Sequence, residues 1–251
     1  MGSNDLSNKE RHPMSILSGV KLTWLGHATM HLQTAAGTSV LIDPWIEGNP
    51  SYPVDKKSFD KVDVMLLTHG HTDHTGSSLP VAAQYDPTVL CMVELGDILV
   101  NQGLKSDKLI AMNLGGTVKV ADLEISMVEA RHSSSYVVDG LPVYAGPPTG
   151  LIVRPEGGPT IYFAGDTSLF SDMKLIGDLF APDIAVLPIG GFYTMGPEHA
   201  AIAADWIGVK AVVPIHYGTF PALKGRPDKL RAAFTEKNIE VLELKIGQPS
   251  S

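Results

Sequence analysis

The stretch that most limits what this chain can fold into is Val62-Asp63-Val64-Met65-Leu66-Leu67, running straight into Thr68-His69-Gly70-His71-Thr72-Asp73-His74. A nearly unbroken apolar run of this length reads as a strand buried on both faces. Three imidazoles and a carboxylate then crowd in where that strand ends. Burying so many polar groups is costly unless something binds them. Neutral imidazole and carboxylate are ligands that suit zinc and its divalent neighbours. His69 and His71, two apart at a strand end, project the same way and can chelate one ion. Asp73 and His74, on the turn into the next helix, can reach a second. A solvated polar loop is the plain alternative, and it would prevail for one histidine but not for this spacing after an apolar strand.

Three more candidates follow apolar strands downstream. His132 comes after Val128-Glu129-Ala130-Arg131, Asp166 after Ile161-Tyr162-Phe163-Ala164-Gly165, and His216 after Val212-Val213-Pro214-Ile215. Strand-end loops are where a rigid sheet presents functional groups.

The rest of the pattern supplies the sheets. Val20 to Trp24, Met30 to Leu32 and Ser39 to Ile42 read as strands, the last stopped at Asp43-Pro44. Thr88 to Val93 reads as a strand and Leu95 to Gln102 as a helix closed by Gly103. Thr117 to Val128 reads as a hairpin, and Leu151 to Val153 with Thr160 to Phe163 as a second strand pair. Ile184 to Leu187, Ala211 to Ile215 and Ile239 to Leu244 follow as strands. Pro197 to Ile207 and Pro227 to Thr235 are the helices between them, each with proline in its first turn. Hairpins first and strand–helix units later, in both halves, predict an α/β (α+β) chain with two mixed sheets face to face and helices outside. No linker divides residues 20–248, so they are expected to form a single domain. Residues 1–19 are expected to be a mobile leader, a tag remnant or an arm on a neighbouring subunit.

Composition narrows the function. With 44% hydrophobic and 18% charged residues the chain has material for a full core. A net charge of −8 without a Lys/Arg cluster argues against nucleic acid as a partner. No apolar run reaches membrane-span length. The single cysteine, Cys91, sits in an apolar run, reads as a buried core residue and points to a reducing, cytoplasmic setting. A small-molecule substrate is the expected partner, and a homo-oligomer is compatible with the sequence.

The set His69, His71, Asp73, His74, His132, Asp166 and His216 resembles the metallo-β-lactamase superfamily. Within it the chain is most similar to the metal-dependent hydrolase branch related to ascorbate-6-phosphate lactonase. Trp24-Leu25-Gly26-His27, Ile42-Asp43-Pro44, Ala164-Gly165-Asp166-Thr167, Phe170-Ser171-Asp172-Met173, Thr194-Met195-Gly196-Pro197-Glu198 and Pro214-Ile215-His216-Tyr217 carry this likeness from about residue 20 to the C-terminus. The resemblance implies a four-layer αββα sandwich. It implies one metal on His69, His71 and His132, a second on Asp73, His74 and His216, and Asp166 bridging both. It also implies that Asp43 steadies the metal loop by hydrogen bonds. Where this chain has Gly191 and His199, relatives often carry acids, which bears on substrate choice and not on the metals.

The expected cofactors are two divalent ions, Zn2+ first, with Mn2+ and Fe2+ as alternatives. They would share a hydroxide that attacks an ester, lactone, thioester, amide or phosphodiester, with Asp73 and Asp166 as the catalytic carboxylates. No Gly-x-Ser-x-Gly elbow competes with that reading. Two alternatives stay open: an iron-dependent oxygenase or other redox enzyme on the same fold, and a phosphodiesterase or nuclease. Among lesser candidates, His27 is either a pocket residue or a structural cap. His199 is a rim residue or simply exposed, and Tyr193 is a candidate substrate contact. Ser133 to Pro148, leaving from His132, is expected to wall or lid the pocket, or to be a surface hairpin. His31, on the polar side of its strand, receives no function.

Overall fold

The computed structural model describes residues 15–56 and 58–250. The first half contributes β1 (Val20–Trp24), β2 (Met30–Thr34), β3 (Ser39–Ile42) and β4 (Val64–Leu66). The short helix α1 (Thr72–Thr75) and α2 (Ser78–Tyr85) follow, then β5 (Thr88–Met92), α3 (Val93–Asn101) and β6 (Leu109–Met112). The second half adds β7 (Thr117–Val120), β8 (Leu123–Glu129), β9 (Ser135–Val138), β10 (Leu141–Tyr144), β11 (Thr149–Pro155) and β12 (Ile161–Phe163). It closes with α4 (Met173–Phe180), β13 (Ile184–Pro188), α5 (Pro197–Ile207), β14 (Ala211–Ile215), α6 (Pro227–Ala233), β15 (Glu240–Val241) and β16 (Pro249–Ser250).

Two seven-stranded sheets result, in the orders β16-β1-β2-β3-β4-β5-β6 and β15-β14-β13-β12-β11-β8-β7. Each is antiparallel where hairpins build it and parallel from β3 to β6 and from β12 to β15, where a long loop (β3 to β4) or helices connect most of the strands. Side-chain alternation then assigns the faces. Ile161, Phe163, Ile184, Val186, Ala211 and Val213 enter the core between the sheets. Their neighbours Tyr162, Ala185, Leu187 and Val212 point the other way and pack under α4, α5 and α6 through Ile176, Ala203, Ile207 and Leu230. On the opposite sheet α3 lays Leu95 and Leu99 into the core. The layers are therefore helix, sheet, sheet, helix, the αββα sandwich that the resemblance implied.

Several local expectations change. Residues 1–14 of the expected leader lie outside the described residues, but Ser15 to Gly19 form a turn that buries Leu17 to 2% exposure. That turn is part of the packed body because Leu17 has the inter-sheet core beneath it. His31, on the polar side of its strand, is nonetheless buried: the loop after β3 covers it, setting Phe59 against its ring at 5.1 Å. The last expected strand shortens to Glu240–Val241. Ser133 does border the functional pocket, but the β9–β10 hairpin beyond it leaves Val137, Leu141, Val143 and Tyr144 exposed. It closes no lid, because its strands pair only with each other. Among the described residues no helix is long and apolar enough to cross a membrane.

Candidate metal centre

The parallel strands β3 and β4 end side by side, which puts Asp43 beneath the loop that leaves β4. Its Oδ1 accepts the Thr68 backbone N–H at 2.8 Å and its Oδ2 the Thr68 hydroxyl at 2.6 Å. Oδ2 also accepts His74 Nδ1–H at 2.8 Å. A carboxylate can only accept, so the proton of the neutral His74 ring sits on Nδ1 and Nε2 is bare. Thr68 works the same way one step on. Its hydroxyl proton is committed to Asp43, so the hydroxyl oxygen accepts Nδ1–H of His69 at 3.1 Å and leaves His69 Nε2 bare. Buried Asp43 thereby fixes two tautomers at once, the loop-steadying role expected of it.

The bare nitrogens converge. Ligand atoms of His69, His71 and His132 lie within 4.8 Å of one another, and so do those of His27, Asp73, His74 and His216. His69 Nε2 and His71 Nδ1 are 3.0 Å apart. Gly70 between them lets the hairpin base approach: a Cβ there would meet Ala145 Cβ at 2.7 Å and the Ser135 carbonyl oxygen at 2.9 Å. Asp166 lies between the groups. Its Oδ2 is 3.6 Å from His132 Nε2 and 3.1 Å from His216 Nε2, and its Oδ1 is 3.4 Å from His74 Nε2. Asp73 Oδ2 is 3.9 Å from His216 Nε2. All seven expected ligands are thus brought together.

His74 Nε2, Asp166 Oδ1 and both nitrogens of His216 are buried without any hydrogen-bond partner. Each such atom costs roughly 1–3 kcal/mol. Three of the four point into one small volume, and a divalent cation there would satisfy them together, so the residues fit a metal. The charges agree. Burial pushes the His69, His71 and His132 rings down toward their neutral, ligating form. Burial also opposes ionisation of Asp166, but the flanking His74 and His216 outweigh it and hold the carboxyl far below the usual range. For Asp73, burial is outweighed by the His27 hydrogen bond and neighbouring histidines, with the same result. His74 is pulled the other way. Burial disfavours its charge, yet Asp166 and Asp43 on either side raise its pKa well above normal.

Three non-glycine residues around the cage, His27, Asp43 and His216, adopt left-handed backbone with φ of 52°, 47° and 55°. Strain of this kind concentrates at functional sites. His27, read as a pocket residue or a structural cap, does not line the cavity. It is fully buried, with Nε2 3.0 Å from Asp73 Oδ2 and Nδ1 3.0 Å from Thr219 Oγ1. Burial carries its pKa down to about 4 against the pull of Asp73.

The cage floors a cavity of about 490 Å³ lined by His71, Asp73, His132, Ser133, Asp166, Tyr193, His216 and Phe220. Tyr193, the candidate substrate contact, lines the cavity. Of the two readings of His199, rim or simply exposed, the structure bears out the second: it is exposed on α5 and absent from the cavity wall. The helical period explains this, since Pro197, Ala200 and Ala201 face inward and leave positions 198 and 199 to solvent. Thr68, Thr219 and Phe220 were not singled out from sequence. Only Thr68, adjoining the histidines, carried a local signal.

Comparison with known proteins agrees with this geometry. Residues 38–217 match the model of the beta-lactamase superfamily domain. A UPF0173 metal-dependent hydrolase of Koribacter versatilis is 46% identical over 93% of this chain and 97% of its own. The structure of a metallo hydrolase from the archaeon Ignicoccus hospitalis superimposes with a TM-score of 0.81 at 33% identity, covering 92% of this chain and 97% of that one. An isothiocyanate hydrolase from Delia radicum gut bacteria gives 0.71 at 25% identity, covering 92% and 98%. The chain therefore belongs to the beta-lactamase superfamily and, within it, to the UPF0173 metal-dependent hydrolases.

Proposed function

We propose that this protein is a dinuclear hydrolase, with zinc as its metal, that cleaves a small, uncharged carbonyl compound such as an ester, lactone, thioester or amide. The observation that carries the reading is the pair of ligand groups on either side of Asp166, with their bare, unpartnered atoms turned inward. His69, His71 and His132 would hold one ion, Asp73, His74 and His216 the other, and Asp166 both. Divalent ions held there supply Lewis acidity and a water that ionises near neutral pH.

The protein's own groups do the rest. Asp73 stays ionised with 28% of its side chain exposed at the cavity floor, where it orients the attacking water. Tyr193 and Phe220 offer the substrate's carbon skeleton an apolar wall. Among the described residues no Lys or Arg lines the cavity. A phosphodiester carries charge throughout the reaction and is usually gripped by such cations, so carbonyl carbon is favoured over phosphorus. The structural likeness to an isothiocyanate hydrolase supports an electrophilic carbon as the target. One lone cysteine, buried, fits a cytoplasmic setting.

A second reading rests on the Asp73, His74 and His216 group alone. Two histidines and one carboxylate also suit iron(II) oxygenases. Metal analysis and an optical spectrum of protein purified without added metal separate the two. The direct test is a panel of lactones, esters, thioesters, amides and phosphodiesters, run with Zn and with Mn and repeated after chelation. Carbonyl hydrolysis is expected to need metal and to vanish in Asp166→Ala. Turnover that survives full chelation sinks the proposal.

A further inference from the structure

His27 reaches the cage from behind. It lies in the turn joining β1 to β2, fully buried, and does not border the cavity. The hydrogen bonds of its ring run in one direction. The Asp73 carboxylate can only accept, so Nε2 of His27 donates to Oδ2, and in the neutral ring Nδ1 is left to accept the Thr219 hydroxyl. Ser51 Oγ stands 3.5 Å behind Thr219 and completes the line.

The same residue also holds His216. The two rings lie 3.9 Å apart between centroids. The His27 carbonyl accepts the His216 backbone N–H at 2.9 Å and the Trp24 indole N–H at 2.9 Å. His27 therefore braces two of the three residues assigned to the second ion. It makes no hydrogen bond to His69, His71 or His132, which are assigned to the first.

We propose that His27 is a positioning residue for the second metal position alone: with Thr219 it aims Asp73 and His216, and so makes the affinities of the two positions independently adjustable. This rests on the two-ion reading above. A ring that anchors a ligating carboxylate is typically worth 10–100-fold in metal affinity. Thr219 matters because without its hydroxyl the buried Nδ1 has no donor, and the ring can turn over and release Asp73.

The test is zinc titration of metal-free protein by calorimetry with a competing chelator, with cobalt substitution read by absorbance. Wild type should take two ions. His27→Leu should bind the first with unchanged affinity and the second 10–100-fold more weakly. His27→Gln, whose amide can still donate to Asp73, should recover most of that loss, which a merely space-filling role would not predict. Thr219→Val should weaken the second position several-fold and leave the first alone. Equal loss of the second ion in His27→Leu and His27→Gln would make His27 a ligand and overturn the proposal, as would wild-type affinities in both. If His27→Leu does not fold, an unchanged second affinity in Thr219→Val overturns it. A wild-type protein that takes fewer than two ions instead sinks the two-ion reading, and this inference with it.

Discussion

Asp43→Asn is the sharpest test of how the cage is wired, because it changes one atom and no volume. Asp43 is 1% exposed and accepts three hydrogen bonds, from Thr68 N, Thr68 Oγ1 and His74 Nδ1. An amide has one accepting end. If its oxygen faces Thr68 N, its NH2 confronts His74 Nδ1–H, and the imidazole escapes only by moving its proton to Nε2, the nitrogen meant for metal. If the amide is reversed, its NH2 confronts the Thr68 backbone N–H and the loop carrying His69 must shift. Hydrogen bonds to a charged group are worth about 1.5–3 kcal/mol each, and part of the loss is recovered by rearrangement. The expected cost is therefore about 3 kcal/mol of metal-free stability, read by urea denaturation in chelator. Zinc affinity at the second position should also fall 10–100-fold, equivalent to about 1.4–2.7 kcal/mol. The two readouts separate folding from ligation. A variant that melts like wild type and still takes two ions at full affinity would refute both the tautomer argument and the role given to Asp43.

Gly70→Ala should destabilise the fold by about 1–3 kcal/mol and weaken the first metal position, since its Cβ would sit 2.9 Å from a backbone oxygen that cannot move cheaply; zinc titration with wild-type affinity would contradict this. For His31, burial lowers the pKa from 6.5 to about 4, so below neutrality the unfolded chain takes up the proton first. Its stability contribution is thus full above pH 6.5 and lost as pH falls toward 4, by up to about 3 kcal/mol, and His31→Gln should flatten that slope. Parallel stability–pH curves for the two proteins would rule it out. The Cys91 thiol is fully buried and raised to about 12, so an aromatic disulfide reagent should modify it only at the rate of unfolding; fast labelling of native protein would disprove it.

Where periodicity carried the signal, the sequence was enough. The inner parallel strands β4, β5, β13 and β14 bury both faces, so their apolar runs stood out, and helix α5 begins and ends at Pro197 and Ile207 as its proline and its closing glycine dictate. Helix α4 was missed, and the helix expected after the histidines was given no bounds, for physical reasons. In α2, Pro80 sits inside the run, and its first-turn place becomes visible only once the start at Ser78 is known. In α4, Gly177 looks like a breaker, yet a Cβ there would lie 2.3 Å from the Ile207 carbonyl oxygen, so the glycine is what lets α4 press against α5. A close approach between helices leaves no trace in either helix read alone.

The site divides along the same line. Its seven candidate ligands were legible because each ends an apolar strand or sits in the short segment just after one, as Asp73 and His74 do in α1, and the sheet topology brings such ends to one rim. What holds them was not legible, since Asp73 meets His27 across 46 residues and His27 meets Thr219 across 192. Nothing near Thr219 in the sequence marks it, and His199, which looked equally placed, faces water. The difference is one of backbone direction. His27, Asp43 and His216 reach the cage through left-handed turns that other side chains adopt at a cost of roughly 1–2 kcal/mol each. Those turns re-aim a residue after its strand has ended, so strand period no longer says where it points. The candidate ligands can therefore be named from sequence, whereas their aim depends on three strained turns and on the groups that keep them in place.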